Sequence, residues 1–120
     1  MADEITLSAS FKVEKGGASF ARSTGALQVD MSGSHIAAGT QAVGTSAEAL
    51  EKGDITTPGL LYIKNMDGTN FVEVGYDDTG FKPTVKILAG EWAIFRLTQT
   101  TPQVKADTGA CNIEYILVEA

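Results

Sequence analysis

The chain is poor in the residues that small enzymes and metal sites use. Its 120 residues contain one cysteine, Cys111, one histidine, His35, and three prolines. A lone cysteine excludes an intramolecular disulfide, and zinc sites built from cysteine and histidine need more ligands than the chain holds. We expect Cys111 to be a small buried apolar residue and not a reactive thiol.

Positive charge and long apolar runs are also scarce. Nine Lys and Arg residues stand against fifteen Asp and Glu, which gives a net charge of −6 at pH 7. Without a basic stripe, binding to nucleic acid is not expected. No apolar run approaches the ~20 residues that span a bilayer, and the first residues lack the charged and apolar regions of a secretory signal. The sequence therefore predicts a protein that is made in a cytoplasm, is not secreted and has no membrane partner.

Turn-forming residues are what the chain has in abundance, with 13 glycines. Residues 60–64 and 71–75 are rich in the aromatic and branched side chains that strands favour. Residues 65–68 between them, Asn-Met-Asp-Gly, include types that accept left-handed backbone angles. We interpret this stretch as a hairpin, and residues 85–88 with 91–98 as a second one.

The spacing of apolar residues is that of strands. Apolar and polar residues alternate from Ile5 to Val13, the pattern of a strand with one buried face. A capping-box pattern at residues 45–48 allows at most one short helix or turn, over residues 47–52. Around eight short strands are expected from these patterns, drawn from residues 5–13, 18–22, 26–31, 35–43, 60–64, 71–75, 85–88, 91–98 and 111–118.

These patterns together predict the fold class. Short strands with frequent turn signals are typical of a sandwich or small barrel. We predict an all-β, single-domain antiparallel β-sandwich, jelly-roll-like, over residues 1–120, with residues 1–4 as a flexible N-terminal arm. Within it, residues 91–98 are predicted to form the most buried central strand, because they carry Trp92 and further apolar residues.

The polar residues do not form a recognisable catalytic or metal-binding pattern. His35 follows Ser32 and lies near Asp30 in sequence, but nothing in the pattern brings a hydroxyl to the imidazole, as nucleophilic catalysis requires. The oxygen-bearing side chains around Gly68 lack calcium-loop spacing and are interpreted as turn residues. Carboxylates in strands, such as Glu73, are interpreted as solvated. We predict a non-enzymatic protein with no catalytic, metal-binding or cofactor-binding residue and no cofactor.

The aromatic residues divide into two groups. Most lie in strand-like segments, where filling the core is their default role; these are Tyr62, Phe71, Trp92, Phe95 and Tyr115. Phe20, Tyr76 and Phe81 lie closer to strand ends or turns. These three are the expected candidates for a partner interface.

Four stretches of the chain carry a family resemblance. They read ITLSASFKVEKGGAS, VGTSAEALEKGDITTPGLLYIKNMDGTNFVEVG, KILAGEWAIFRL and NIEYILVEA, and they are spread from near the start of the chain to its end. The chain resembles small structural proteins of tailed-bacteriophage virions, of the capsid decoration (cement) type. The resemblance implies a β-rich module on the capsid exterior that binds the major capsid protein as a homo-oligomer, a trimer being favoured over a dimer.

Two other functions stay open at this point. A tail-associated or carbohydrate-binding β-sandwich module would present exposed aromatic residues near residues 76–81. A small hydrolase or lyase on a jelly roll would need His35 or a pair of carboxylates to line a pocket. The number of suitable residues argues against the enzyme, whereas the fold alone does not separate the binding module from the capsid role.

Overall fold

A computed structural model describes residues 3–120 of the chain. The chain divides into two compact units, one that extends to Ser32 and includes Ala120, and one over residues 33–119. Every regular element among the described residues is a β-strand, and every strand pair is antiparallel. The predicted all-β class and antiparallel architecture are confirmed.

The N-terminal unit is an antiparallel ribbon made of two successive two-stranded ladders. Its strands are β1 (Ile5–Leu7), β2 (Ser10–Lys15), β3 (Ala18–Ser23) and β4 (Leu27–Val29). β2 and β3 pair about Gly16 and Gly17, whose positive φ angles of 59° and 84° suit the tight turn of a right-twisted hairpin. β1 and β4 pair farther along the ribbon, and the Thr24 N–H donates to the Ala9 carbonyl between the two ladders.

The second unit contains eight strands in two four-stranded sheets. They are β5 (Ile36–Val43), β6 (Glu48–Ala49), β7 (Leu60–Asn65), β8 (Val72–Asp77), β9 (Phe81–Ile87), β10 (Trp92–Arg96), β11 (Gln103–Ala106) and β12 (Cys111–Val118). The first sheet has the order β10-β7-β12-β5 and the second β6-β11-β8-β9.

The pairing of these strands is nested. β8 pairs with β9, β7 with β10, β6 with β11 and β5 with β12, so the unit is one long hairpin of paired strands wrapped into a barrel-like sandwich. Further ladders between β12 and β7, and between β11 and β8, close each sheet. This connectivity is that of a jelly roll, as predicted.

The core lies between the two sheets of the second unit. Each sheet contributes alternate residues of its strands, and the innermost side chains are almost inaccessible to solvent. The fully buried apolar residues include Val43, Leu61, Ile63, Val72, Val74, Val104, Ile113 and Leu117. Cys111 is buried in the same cluster, as predicted, and burial raises the pKa of its thiol.

The two central hairpins predicted from the sequence are wrong in their pairing. Residues 60–65 and 72–77 are strands, but β7 lies in the first sheet and β8 in the second. The same holds for β9 and β10. Turn residues show that the chain reverses but not whether it returns in the same sheet, and in a jelly roll successive strands mostly change sheets.

The predicted central strand is also wrong. β10 lies at an edge of its sheet, and Trp92 is 53% exposed. The central strands of this sheet are β7 and β12. Residues 92–96 are nevertheless apolar on both sides of the strand. One side packs on the core, and the other forms part of an apolar surface.

The segment predicted as a short helix or turn has no helix. Residues 47–52 contain the two-residue strand β6, which pairs with β11. The carboxylate of Glu48 accepts hydrogen bonds from the Gly44 N–H and the Gln41 side chain, at 3.1 Å each. A capping-box carboxylate thus reaches back to the backbone without a helix following it.

The single domain over residues 1–120 and the arm over residues 1–4 stay predictions. Met1 and Ala2 lie outside the described residues. The next two residues form hydrogen bonds within the N-terminal unit, since the Asp3 N–H donates to Asp30 Oδ1 at 2.6 Å and Glu4 Oε1 accepts from the Met31 N–H at 3.2 Å.

Candidate interaction surfaces

The first sheet of the second unit has an apolar outer face. In β7 and β12, residues that point inward, such as Ile63 and Tyr115, are buried, and the residues between them point outward. Cross-strand pairing aligns the outward residues in rows. One row runs across all four strands as Ile94, Tyr62, Ile116 and Ala38. A row of apolar side chains therefore crosses the whole width of the sheet on its outside.

A second row lies beside the first. It consists of Trp92, Lys64, Glu114 and Thr40, again one residue from each strand. The term outer face is used below for these two rows of eight residues. Trp92 is 53% exposed, Ile116 45% and Ile94 36%. Large apolar side chains at such exposure, in adjacent positions, are typical of an interaction surface.

A hydrogen bond orders the middle of the outer face. The Tyr62 hydroxyl donates to Glu114 Oε1 at 2.9 Å. Burial and then this hydrogen bond raise the pKa of Tyr62 above its usual value. The hydrogen bond holds the Glu114 carboxylate beside the apolar row.

The outer side of the second sheet has the opposite character. Its central row consists of Lys105, Glu73 and Lys86, which are cross-strand neighbours on β11, β8 and β9. Lys86 Nζ lies 4.2 Å from the centroid of the Phe71 ring. A sandwich with water on both sides shows charged residues such as these on both outer sides, so the apolar row of the first sheet, which lies beside Lys64 and Glu114, is the exception.

The hairpin of the N-terminal unit carries another exposed apolar surface. Val13 pairs with Phe20, and Phe11 pairs with Arg22, so these four side chains share one side of the β2–β3 ladder. Phe11 is 70% and Phe20 71% exposed. The term hairpin face is used below for Phe11, Val13 and Phe20. Lys15 and Arg22 flank it on the same side.

The opposite side of the hairpin is polar. Lys12 lies there, with its Nζ 2.7 Å from Glu14 Oε1. A two-stranded hairpin with one apolar and one polar side has no core of its own to cover the apolar side, and such hairpins are marginally stable in water. The hairpin face is therefore a second candidate interaction surface.

The three predicted interface residues lie in different places. Phe20 belongs to the hairpin face, whereas Tyr76 is half-buried on β8 and Phe81 half-buried at the start of β9. Lys105 Nζ lies 6.0 Å from the Phe81 ring centroid. Phe20 therefore belongs to a different unit from Tyr76 and Phe81, and the assignment of an interface to the three residues stays a prediction.

Tyr76 lines a pocket of about 270 Å³ in the second unit. β8 and β9 form one wall and residues 95–99 the other. Val74, Val85 and Phe95 supply apolar surface, while Thr84, Thr98 and Gln99 supply polar groups. The pocket is slightly smaller than the ~300–1,000 Å³ of typical ligand sites, and its lining is mainly apolar with a few polar groups.

His35 has a structural environment. Its Nδ1 lies 3.1 Å from Glu119 Oε1, and the same oxygen accepts hydrogen bonds from the N–H groups of Ser34 and His35 at 3.0 Å each. The His35 N–H, followed by other donors, lowers the pKa of Glu119, although burial opposes this effect. The carboxylate thereby holds the segment before β5 against the end of β12.

The turn at residues 65–70 uses its oxygen atoms internally. Asp67 Oδ2 accepts from the Asn70 N–H at 2.7 Å and from the Thr69 N–H at 2.9 Å, and these bonds lower the pKa of Asp67. Asn65 Oδ1 accepts from the Asp67 N–H. Among residues 3–120, no group of three or more His, Cys, Asp or Glu side chains has the geometry of a metal site.

The outer face contains residues that sequence reasoning placed elsewhere or passed over. The sequence predicts Tyr62, Trp92 and Ile94 in the core, the last two as part of a buried strand over residues 91–98, and it predicts no surface role for Ile116. The available signal was the lack of alternation, because residues 60–63 and 115–118 are apolar at successive positions. Such runs indicate strands that are covered on both sides.

Comparisons with known proteins found no matching family model, curated protein or solved structure. In the part of the chain that the structure describes, no helical segment has the length and apolarity needed to cross a bilayer.

Proposed function

We propose that the protein is a non-enzymatic structural protein of a tailed-phage virion, a head decoration protein on the capsid exterior. It binds the major capsid protein as a homo-oligomer and stabilises the lattice. The observation that carries the proposal is the pair of uncovered apolar surfaces, the outer face in one unit and the hairpin face in the other. The resemblance of the sequence to decoration proteins supports it.

A decoration protein needs two kinds of contact, one with its own copies and one with the shell. Two separate apolar surfaces on different units supply two such contacts. Each is too small to bind tightly alone, but an oligomer engages several equivalent sites on the lattice at once. Linked weak contacts then give strong binding by effective concentration.

The hairpin face is assigned to the shell in this proposal. Its aromatic side chains lie beside Lys15 and Arg22 on the same side of the ladder, while the net charge of the chain is −6. A patch that combines apolar and basic side chains favours a partner site that combines apolar and acidic ones. Phe20, at 71% exposure, is its most exposed aromatic residue.

The test is cosedimentation of the protein with empty, expanded shells of the phage that encodes it. Wild-type protein is expected to bind at a fixed ratio to the capsid subunits. Phe20→Ser should lower binding at least tenfold, while Lys12→Ser, on the opposite side of the same hairpin, should bind as the wild type does. Absence of wild-type binding, or equal binding by the Phe20 variant, would contradict the proposal.

The pocket beside Tyr76 favours one alternative, a tail-associated or carbohydrate-binding module. Its aromatic residue and its Thr and Gln side chains are groups that sugars contact. A glycan array, followed by melting curves with any bound sugar, tests this alternative. Sugar-dependent stabilisation that disappears in Tyr76→Ala would favour it over the capsid role.

A further inference from the structure

We propose that the outer face is a two-fold symmetric dimer interface, with a second copy of this chain as its occupant. This inference rests on the homo-oligomer of the proposed function and changes its favoured number from three to two. It follows from the arrangement of residues within the outer face, which is complementary to itself.

The sheet order supplies the symmetry. The four strands are β10, β7, β12 and β5, so a two-fold axis in the interface plane, parallel to the strands and between β7 and β12, exchanges the central pair and the outer pair. Each row of one copy then faces the same row of the other copy, read in reverse. β7 faces β12, and β10 faces β5.

The apolar row fits itself under this operation. Ile94 on β10 meets Ala38 on β5, and Tyr62 on β7 meets Ile116 on β12. A large side chain opposes a small one at the edges, and an aromatic side chain opposes a branched aliphatic one in the centre. Interdigitation of this kind is how the inner sides of stacked sheets pack about 10 Å apart.

The charged row fits itself as well. Lys64 on β7 meets Glu114 on β12, and the symmetry produces this pair twice. Trp92 meets Thr40 at the edges, again large against small. Opposite charges that face each other in both halves of a contact fix its register and disfavour other registers. The second sheet cannot substitute, because its central row of Lys105, Glu73 and Lys86 places charge where an apolar row is needed.

The size of the contact sets the conditions of the test. The eight residues of the outer face are fewer than the roughly 20–30 residues per side of a standard interface. A dimer at the weak end of the range is expected, so its mass is measured over a concentration series. Stacked sheets also diverge towards their edges because they twist, and the central pairs on β7 and β12 should therefore contribute most.

The experiment exchanges the central charges. Lys64→Glu places two like-charged pairs across the axis, and Glu114→Lys does the same with the opposite sign. Each variant is expected to be monomeric by light scattering at concentrations where the wild type is a dimer. When the two variants are mixed in equal amounts, each contact regains one Glu and one Lys, and a dimer of the mixed species should form.

Lys105→Glu is the matched control. It also places two carboxylates at a cross-strand pair, with Glu73, but on the outer side of the second sheet. It should keep the wild-type dimer mass. Melting curves verify that all variants are folded, and Ile116→Ser gives a second, uncharged disruption at a residue that is 45% exposed.

The outcomes separate this inference from the proposed function. A wild type that is monomeric or trimeric throughout, single variants with the wild-type mass, or a mixture that stays monomeric would overturn the dimer. Shell binding by wild-type protein is measured on the same samples. A dimer that ignores shells would leave this inference standing and remove the capsid role, whereas a shell-binding trimer would overturn this inference and leave the capsid role standing.

Discussion

At the scale of single residues, a buried polar side chain connects the two sheets of the jelly roll by hydrogen bonds. Asn65 is fully buried at the end of β7. Its Nδ2 donates to the carbonyls of Asn70 at 2.8 Å and Ile87 at 3.1 Å. These bonds connect the first sheet to the segments that lead into and out of the second, so the side chain fixes a crossing between sheets.

Asn65→Ala should therefore be strongly destabilising. The substitution leaves buried carbonyl groups unpaired, and the expected loss in the free energy of unfolding is about 2–4 kcal/mol. Asn112→Ala, at an exposed position on β12, should change it by less than about 0.5 kcal/mol. Urea denaturation measures both. Equal stability of the two variants would mean that the Asn65 hydrogen bonds do not hold the crossing.

Glu119 makes stability depend on pH. Its pKa is lower in the folded protein than its ordinary value of 4.5, chiefly because the His35 N–H donates to it. The ionised carboxylate therefore stabilises the fold above pH 4.5, and this stabilisation is lost as the pH falls through the lowered folded-state pKa.

Glu119→Gln removes this titration. The variant should melt below the wild type at neutral pH, and the difference should shrink as the pH is lowered towards about 3. Melting temperatures of both proteins over that range provide the measurement. A difference that stays constant, or that grows in acid, would show that the carboxylate does not act through its charge.

At the scale of elements, burial follows strand order and not apolar content. Leu61 on β7 is fully buried, whereas Trp92, on the edge strand β10, is 53% exposed although it is the larger residue. The indole belongs to the outer face, so a substitution that removes it should cost little apolar burial in the core.

Leu61→Ala should lower the free energy of unfolding by about 2–5 kcal/mol, because it opens a cavity in the core. Trp92→Ala should lower it by less than about 1 kcal/mol in the dissociated monomer. Denaturation at a concentration below that of dimer formation compares the two. A Trp92 variant as unstable as the Leu61 variant would restore the buried strand that the sequence suggested.

The bulge in β9, where Thr84 is the extra residue, is a second feature at this scale. The register between β8 and β9 shifts at Val74 and Gly75, where Gly75 lies opposite Pro83. A Cβ atom at Gly75 would lie 2.0 Å from the Lys82 carbonyl oxygen, which is backbone and cannot turn away. Pro83 itself is tolerated because β9 is an edge strand.

Gly75→Ala is expected to cost about 1–3 kcal/mol of stability or more, since the two strands must separate. Gly68→Ala is the matched control, because a Cβ atom there meets nothing within 4 Å. Thermal melting of the pair distinguishes close approach of the strands from a general effect of losing glycine. Similar melting of both variants would contradict the tight bulge.

Local patterns predicted most elements, and tertiary arrangement decided the rest. Strand-favouring side chains and turn residues predicted strands at residues 60–64, 71–75 and 111–118, close to the observed β7, β8 and β12, and predicted the sandwich class. They did not give strand pairing, because a turn such as residues 65–70 looks the same whether the next strand joins the same sheet or the other one. For the same reason Ile94 and Ile116 could not be assigned to the surface, since their exposure depends on which side of which sheet they occupy.

At the scale of the whole molecule, the chain has two surfaces that its own fold leaves uncovered. The outer face is self-complementary in size and charge. The hairpin face is apolar and aromatic, and two basic residues flank it. In the proposed function the first holds copies together and the second holds them on the shell. Neither use requires chemistry at His35 or Cys111, whose surroundings are structural.

The most direct measurement is the thermal opening of expanded empty shells by calorimetry, with and without saturating protein. The proposed function predicts that the opening temperature rises and that the rise reaches a plateau at a fixed ratio of protein to capsid subunit, because a ligand that binds only the closed lattice stabilises it by mass action. An opening temperature that does not change at saturating protein would contradict the claim that this protein decorates and stabilises a capsid.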